Sequence, residues 1–176
     1  TVKHIISEKY SDVLIGAISP AWQLKPDIEH DFTIKVTIAG KTAYLPRFID
    51  GNLQDEFLRE TSTFFTKKCS KCYEFWSYAY STRGKDDAAL AEYLACDSEE
   101  AKKYLKKHSK RIILQLIDDW QEELATAFLK TGLVSTQTLK TLLPIAEEKE
   151  MLVIKSYVLE EMGERKGKKN NEKFSI

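Results

Sequence analysis

The strongest constraint on how this chain folds is a near-repeat in its last third. Ile113-Leu-Gln-Leu-Ile117, Leu124 and Phe128-Leu129 align with Leu143-Pro-Ile-Ala146, Ile154 and Val158-Leu159 at a spacing of 30 residues. Apolar positions three, four and seven apart mark amphipathic helices, so each run predicts a pair of short helices. Two copies of one unit must bury their apolar faces against each other or against the segment before them. Gly132 follows the first pair and can take the left-handed conformation that closes a helix at little steric cost. Pro144 is expected at the opening of a helix, where its missing N–H is no loss.

Over roughly residues 111–162 these features resemble the ankyrin repeat, a pair of antiparallel helices with an outward-reaching turn. Thr141 and Leu143 stand where that family has the Thr and Leu of its Thr-Pro-Leu-His motif, Ala146 matches a small packing position, and Gly132 matches the closing glycine. Leu142 and Pro144 depart from the motif, Trp120 and Glu150 replace the usual inter-helix glycine, and the period is short of the usual ~33 residues. No third copy is readable, and a plain stack of α-hairpins satisfies the same pattern. The resemblance implies a protein-binding module without chemistry of its own. It places the contacts on the connector at Leu133 and Val134 and on the aromatic segment upstream, at Trp76 and Tyr78.

Upstream the period changes. Phe32, Ile34, Val36 and Ile38 alternate with polar residues, which predicts a half-buried strand, and Ala39-Gly40-Lys41 turns the chain into a second strand over Thr42 to Leu45. Asp12 to Ile18 is a further short apolar run of strand character. Thr37 to Pro46 also resembles the hairpin preceding the helical body of some phage tail-assembly proteins. From Leu53 to Tyr80 apolar residues recur near a helical turn, Ser81 to Asp86 is expected to break the pattern, and Asp87 to Cys96 forms a short helix. Asp97 with Glu100 then suits a capping box for a longer helix. The expected class is α+β: a β-rich lobe over 1–50, a helical body over 51–162, and a flexible tail over 163–176 rich in Lys, Asn and Gly.

The 27 basic and 27 acidic residues cancel, so no whole-protein field names a partner. A local basic face, Lys102, Lys103, Lys106, Lys107 and Lys110, can track a phosphate backbone or simply solvate a helix. Cys69-Ser-Lys-Cys72 is the spacing at which two thiolates share a zinc ion, with Cys96 and His108 available as further ligands; small apolar packing along a helix is the bland reading. No phosphate loop, dinucleotide fingerprint, H-E-x-x-H or nucleophile elbow is present, so no enzyme and no cofactor are expected. Three cysteines do not pair off and suit a reducing compartment. The longest apolar stretch falls short of the roughly 20 residues of a membrane span. The expectation is a cytoplasmic protein whose partner is another protein, with nucleic acid as the alternative and no membrane.

Overall fold

The structure is a computed structural model that describes residues 4–9, 19–20, 33–67 and 73–173. It is an α+β fold with a small N-terminal sheet and a mostly helical remainder. The chain divides into two compact units, Thr1–Tyr104 and Leu105–Ile176, and each is described by itself.

In the first unit, β1 (His4–Ser7), β3 (Thr33–Ile38) and β4 (Lys41–Pro46) form a sheet in the order β1-β3-β4. β1 runs parallel to β3, and β3 and β4 form the expected antiparallel hairpin, with Ile38 opposite Lys41. Its two-residue turn has Ala39 and Gly40 both at positive φ, 50° and 78°, the twist that suits flanking strands. Alternation does what it promises: Ile34, Val36 and Ile38 are fully buried, while Phe32 and the run Asp12 to Ile18 lie outside the described residues. A second, two-residue pairing joins β2 (Ser19–Pro20) to β5 (Phe48–Ile49) in parallel.

The aromatic segment roofs this sheet. α1 (Gln54–Thr66) lays Phe57, Phe64 and Phe65 on Ile34, Val36, Ile38 and Leu45, and Phe75 joins them. Edge contacts knit the rings, with Phe57 to Phe75 at 6.1 Å, Phe64 to Tyr73 at 4.8 Å and Phe64 to Phe75 at 5.7 Å. Such packing favours T-shaped rings. Lys41 ties hairpin to helix, its ammonium donating to the carbonyls of Phe64, at 2.7 Å, and Lys67, at the C-terminal end of α1. Because one core unites strands and aromatics, the first unit does not end near residue 50.

The helical reading of Leu53 to Tyr80 holds only for its first half. Residues Phe75–Tyr78 form a short 3-10 turn, pinned to β5 where Asp50 N–H donates to Tyr78 O and Tyr80 N–H to Phe48 O, both at 3.0 Å. Ser81 to Asp86 is no break. α2 (Thr82–Cys96) begins there, because Ser81 Oγ accepts from Gly84 N–H at 3.0 Å and caps the first turn. Asp97, expected as the next cap, instead closes α2 in the left-handed region at φ 51°. The cap is Ser98, whose Oγ accepts from Ala101 N–H at 3.3 Å. α3 (Glu99–Asp118) follows and crosses from the first unit into the second.

The second unit continues with α4 (Glu122–Lys130), α5 (Thr136–Glu148) and α6 (Leu152–Lys173). α6 packs along both α5 and α4, burying Ala125, Phe128, Leu129, Leu142, Ala146, Ile154 and Val158. Gly132 has φ 71° after α4, as its position predicts. Pro144 does not open a helix. Ser135 caps α5 through Thr138 N–H at 3.2 Å, which puts Pro144 in the helix interior, where Lys140 O loses its i+4 donor. Both residues are exposed, so water can replace that donor. The backbone of α6 is helical to Lys173, assisted by the Glu161–Arg165 pair at 2.7 Å.

Candidate interaction surface

The second unit uses one backbone device twice. At the end of α3, Asp119 N–H donates to Gln115 O at 3.0 Å, Trp120 N–H to Ile117 O at 3.1 Å and Gln121 N–H to Leu116 O at 2.9 Å. Thirty residues on, Lys149 donates to Ile145 O at 3.0 Å, Glu150 to Glu147 O at 3.1 Å and Met151 to Ala146 O at 2.9 Å. The residue at the centre of each turn is left-handed, Trp120 at φ 57° and Glu150 at φ 56°. This is the Schellman closure of a helix. The next helix opens alike in both copies, by Ala125 N–H to Gln121 O and Lys155 N–H to Met151 O. The period of the apolar side chains is therefore also a period of the backbone.

The two turns share an edge. Lys149 reaches back from the second so that its ammonium lies 3.3 Å from Asp118 Oδ1 and 5.3 Å from the centre of the Trp120 ring. Apolar groups stand out into water there: Trp120 is 65% exposed, and Leu152 and Val153, which open α6, are 71% and 56% exposed. Leu159, seven residues after Leu152, is exposed as well, which extends the same helix face. Large contiguous apolar patches on a surface mark interaction sites, whereas singly scattered apolar residues need no explanation.

The rim is acidic. Asp118 and Asp119 end α3, Glu147 and Glu148 end α5, and neither helix has a basic residue in its last turn. A carboxylate at a helix C-terminus opposes the negative end of the macrodipole, each at a cost of about 0.3–1 kcal/mol. Glu122 and Glu123 open α4 at the favourable end. Lys155 partly offsets the rim: its hydrogen bond to Glu147 at 2.7 Å, and then its charge, hold that carboxyl below the usual range. Comparison with protein-family models, curated proteins and solved structures finds no match.

The other expected contact residues lie elsewhere. Val134 is 0% exposed and Leu133 half-buried, so the connector does not offer the pair as a docking tip. Arg165 fastens it, donating from Nη1 to Val134 O at 2.9 Å and to Thr136 Oγ1 at 3.3 Å. Trp76 and Tyr78 are half-buried in the first unit, Trp76 with its ring centre 4.7 Å from that of Tyr104 and Tyr78 edge-on to Phe57 at 5.5 Å. Trp120, Leu152 and Val153 escaped the sequence reading. Their signal was available: Leu152 and Val153 stand where the first copy has Glu122 and Glu123, so apolar residues replace acids at an equivalent helix opening.

On α3, Lys103, Lys106, Lys107 and Lys110 are exposed, and Lys102 pairs with Glu99 at 3.0 Å. Among the expected zinc ligands, Cys69 and Cys72 lie outside the described residues. Cys96 is exposed and donates to Glu92 O at 3.2 Å, and His108 Nδ1 is 3.5 Å from Arg111 Nη1. Among the described residues no group of three or more His, Cys, Asp or Glu converges on a metal position, and no helix is long and apolar enough to cross a membrane.

The first unit also buries polar groups. Tyr104 donates to the buried Asp86 at 2.7 Å. Glu92 is only 4% exposed, with Oε1 lacking a hydrogen-bond partner. Burial pushes its carboxyl up to about 8, against a hydrogen bond from Ser98 and with help from the charges of Glu74 and Glu100.

Proposed function

We propose that this chain is a protein-binding adaptor or scaffold module without catalytic chemistry, and that its two helix pairs present the paired-turn edge of the second unit to a partner. The carrying observation is the exposure of Trp120, Leu152 and Val153 on an edge built twice from one backbone device. A rigid backbone bearing an exposed aromatic anchor suits a binding hot spot, since Trp contributes large contact area at little entropic cost. The ankyrin-type reading belongs to this proposal at the level of stacked helix pairs. Thr141 to Pro144 lies inside α5 and not at a helix opening, so the proposal rests on the stacking of helix pairs and not on the Thr-Pro-Leu-His motif.

The test is affinity capture from a lysate, with and without nuclease, comparing the wild-type chain with Trp120→Ala and Leu152→Ser. Proteins retained by the wild type, surviving nuclease and lost from both variants, are the expected result. Retention that ignores both substitutions would sink the proposal. A second reading, nucleic-acid binding, is favoured by the four exposed lysines of α3; material released by nuclease or moderate salt is its signature.

A further inference from the structure

We infer that the partner of the paired-turn edge is a basic amphipathic segment of another protein, offering Lys or Arg to the carboxylate rim and apolar side chains to Trp120, Leu152 and Val153. This rests on the adaptor reading and names its ligand. The argument is charge complementarity around an apolar centre. The first turn contributes Asp118, Glu122 and Glu123, and the second contributes Glu147, Glu148 and Glu150, of which Asp118 is paired with Lys149 and Glu147 with Lys155. Two helix C-termini add their own partial negative charge to the same edge. The field therefore repels phosphate, so nucleic acids and anionic lipid surfaces are disfavoured here.

The molecule already shows how this edge takes a cation. Lys149 sits between the Asp118 carboxylate, at 3.3 Å, and the face of the Trp120 ring, at 5.3 Å, combining an ion pair with a cation–π contact. A guanidinium or ammonium of the partner would meet the same two kinds of group. Its apolar residues would cover Leu152 and Val153, which otherwise stay in water at a helix opening that needs neither of them.

The test uses the full chain and three labelled synthetic helical peptides, read by fluorescence anisotropy. One is a Lys/Leu amphipath, one the same sequence with Glu for Lys, and one a Lys/Leu peptide of scrambled, non-amphipathic order. The Lys/Leu amphipath should bind, the Glu peptide should not, and scrambling should weaken binding. Trp120→Ala and the pair Glu148→Lys with Glu150→Lys should each weaken it about tenfold or more. A matched charge reversal in the first unit, Asp55→Lys with Glu100→Lys, should leave it unchanged. Thermal unfolding of each variant checks that the fold persists. Absent binding, preference for the Glu peptide, or equal loss from the first-unit reversal would each overturn the inference. So would Trp120-dependent self-association in sedimentation, or Trp120-dependent retention on anionic vesicles or an oligonucleotide. If lysate capture still needs Trp120 while the Lys/Leu peptide fails, the adaptor reading stands and only the basic ligand is lost. If neither depends on Trp120, both fall.

Discussion

Glu150 holds a left-handed backbone at φ 56°, a conformation that costs an L-residue roughly 1–2 kcal/mol and that glycine adopts freely. Because the side chain is exposed on a crowded acidic rim, Glu150→Gly should stabilise the chain by about 0.5–1 kcal/mol, the relief of strain less the added freedom of the unfolded glycine. Chemical denaturation measures it, and a loss of stability would mean that the side chain supports the turn. Glu92 is the opposite case, a buried group whose charged form the fold opposes. With the folded carboxyl at about 8 and an ordinary value when unfolded, the folded state holds the extra proton between roughly pH 4.5 and 8. The contribution of this carboxyl to stability is therefore greatest below that window and falls as pH rises through it. Glu92→Gln should remove the slope and stabilise the protein at pH 7 by on the order of 2 kcal/mol; a parallel pH profile for wild type and variant would refute the burial argument. Neither feature was legible in the sequence. Trp120 and Glu150 showed only as departures from an expected glycine, since a dihedral leaves no mark when a non-glycine residue adopts it. The burial of Glu92 depends on how α2 meets the chain around Ser98, which no local pattern encodes.

Elements were legible where one periodicity decided them. β3 and its partner follow from alternation, and the two copies in the second unit follow from apolar spacing, because period and burial are the same fact seen twice. Boundaries failed where a capping residue outweighed a run of apparent breakers. Ser81 draws Thr82 to Asp86 into α2, and Ser98 displaces Asp97 as a cap. Gly163 and the basic residues after it did not stop α6, since Gly163 has no positive φ and no crowding at its Cβ position. The connector between α4 and α5 meets a related limit: a polar-flanked Leu-Val pair is equally consistent with an exposed tip and with a plug. Arg165 shows it to be a plug. Val134→Asp should therefore unfold the second unit, since a buried unpaired charge costs several kcal/mol, whereas Leu133→Asp should be tolerated within about 1 kcal/mol. Arg165→Ala should lower stability by about 1–2 kcal/mol through the lost bond to Val134 O. Circular dichroism with thermal unfolding separates the three, and a folded Val134→Asp protein would contradict the assignment.

Across the whole molecule a formal charge of zero conceals segregation. Five lysines among the 27 cations lie on α3, at Lys102, Lys103, Lys106, Lys107 and Lys110, and carboxylates gather at the turn edge, so a composition that names no partner still holds local charge of either sign. Sequence could register the lysines because they lie within ten consecutive positions. It could not register the acidic edge, which is assembled from turns 30 residues apart. It also placed the unit boundary near residue 50, because aromatics at helical spacing look like the core of a helical body until a sheet is found beneath them. If α3 binds polyanions, the two surfaces should be separable. Lys106→Glu with Lys107→Glu and Lys110→Glu should abolish filter retention of a single-stranded oligonucleotide. In the wild type the affinity should fall with salt at a logarithmic slope of about −3, four exposed lysines each releasing a fraction of a counterion. The same triple variant should still capture protein through Trp120. Retention that survives the triple reversal would remove α3 as a polyanion site, and loss of both activities together would mean that α3 serves the protein partner as well.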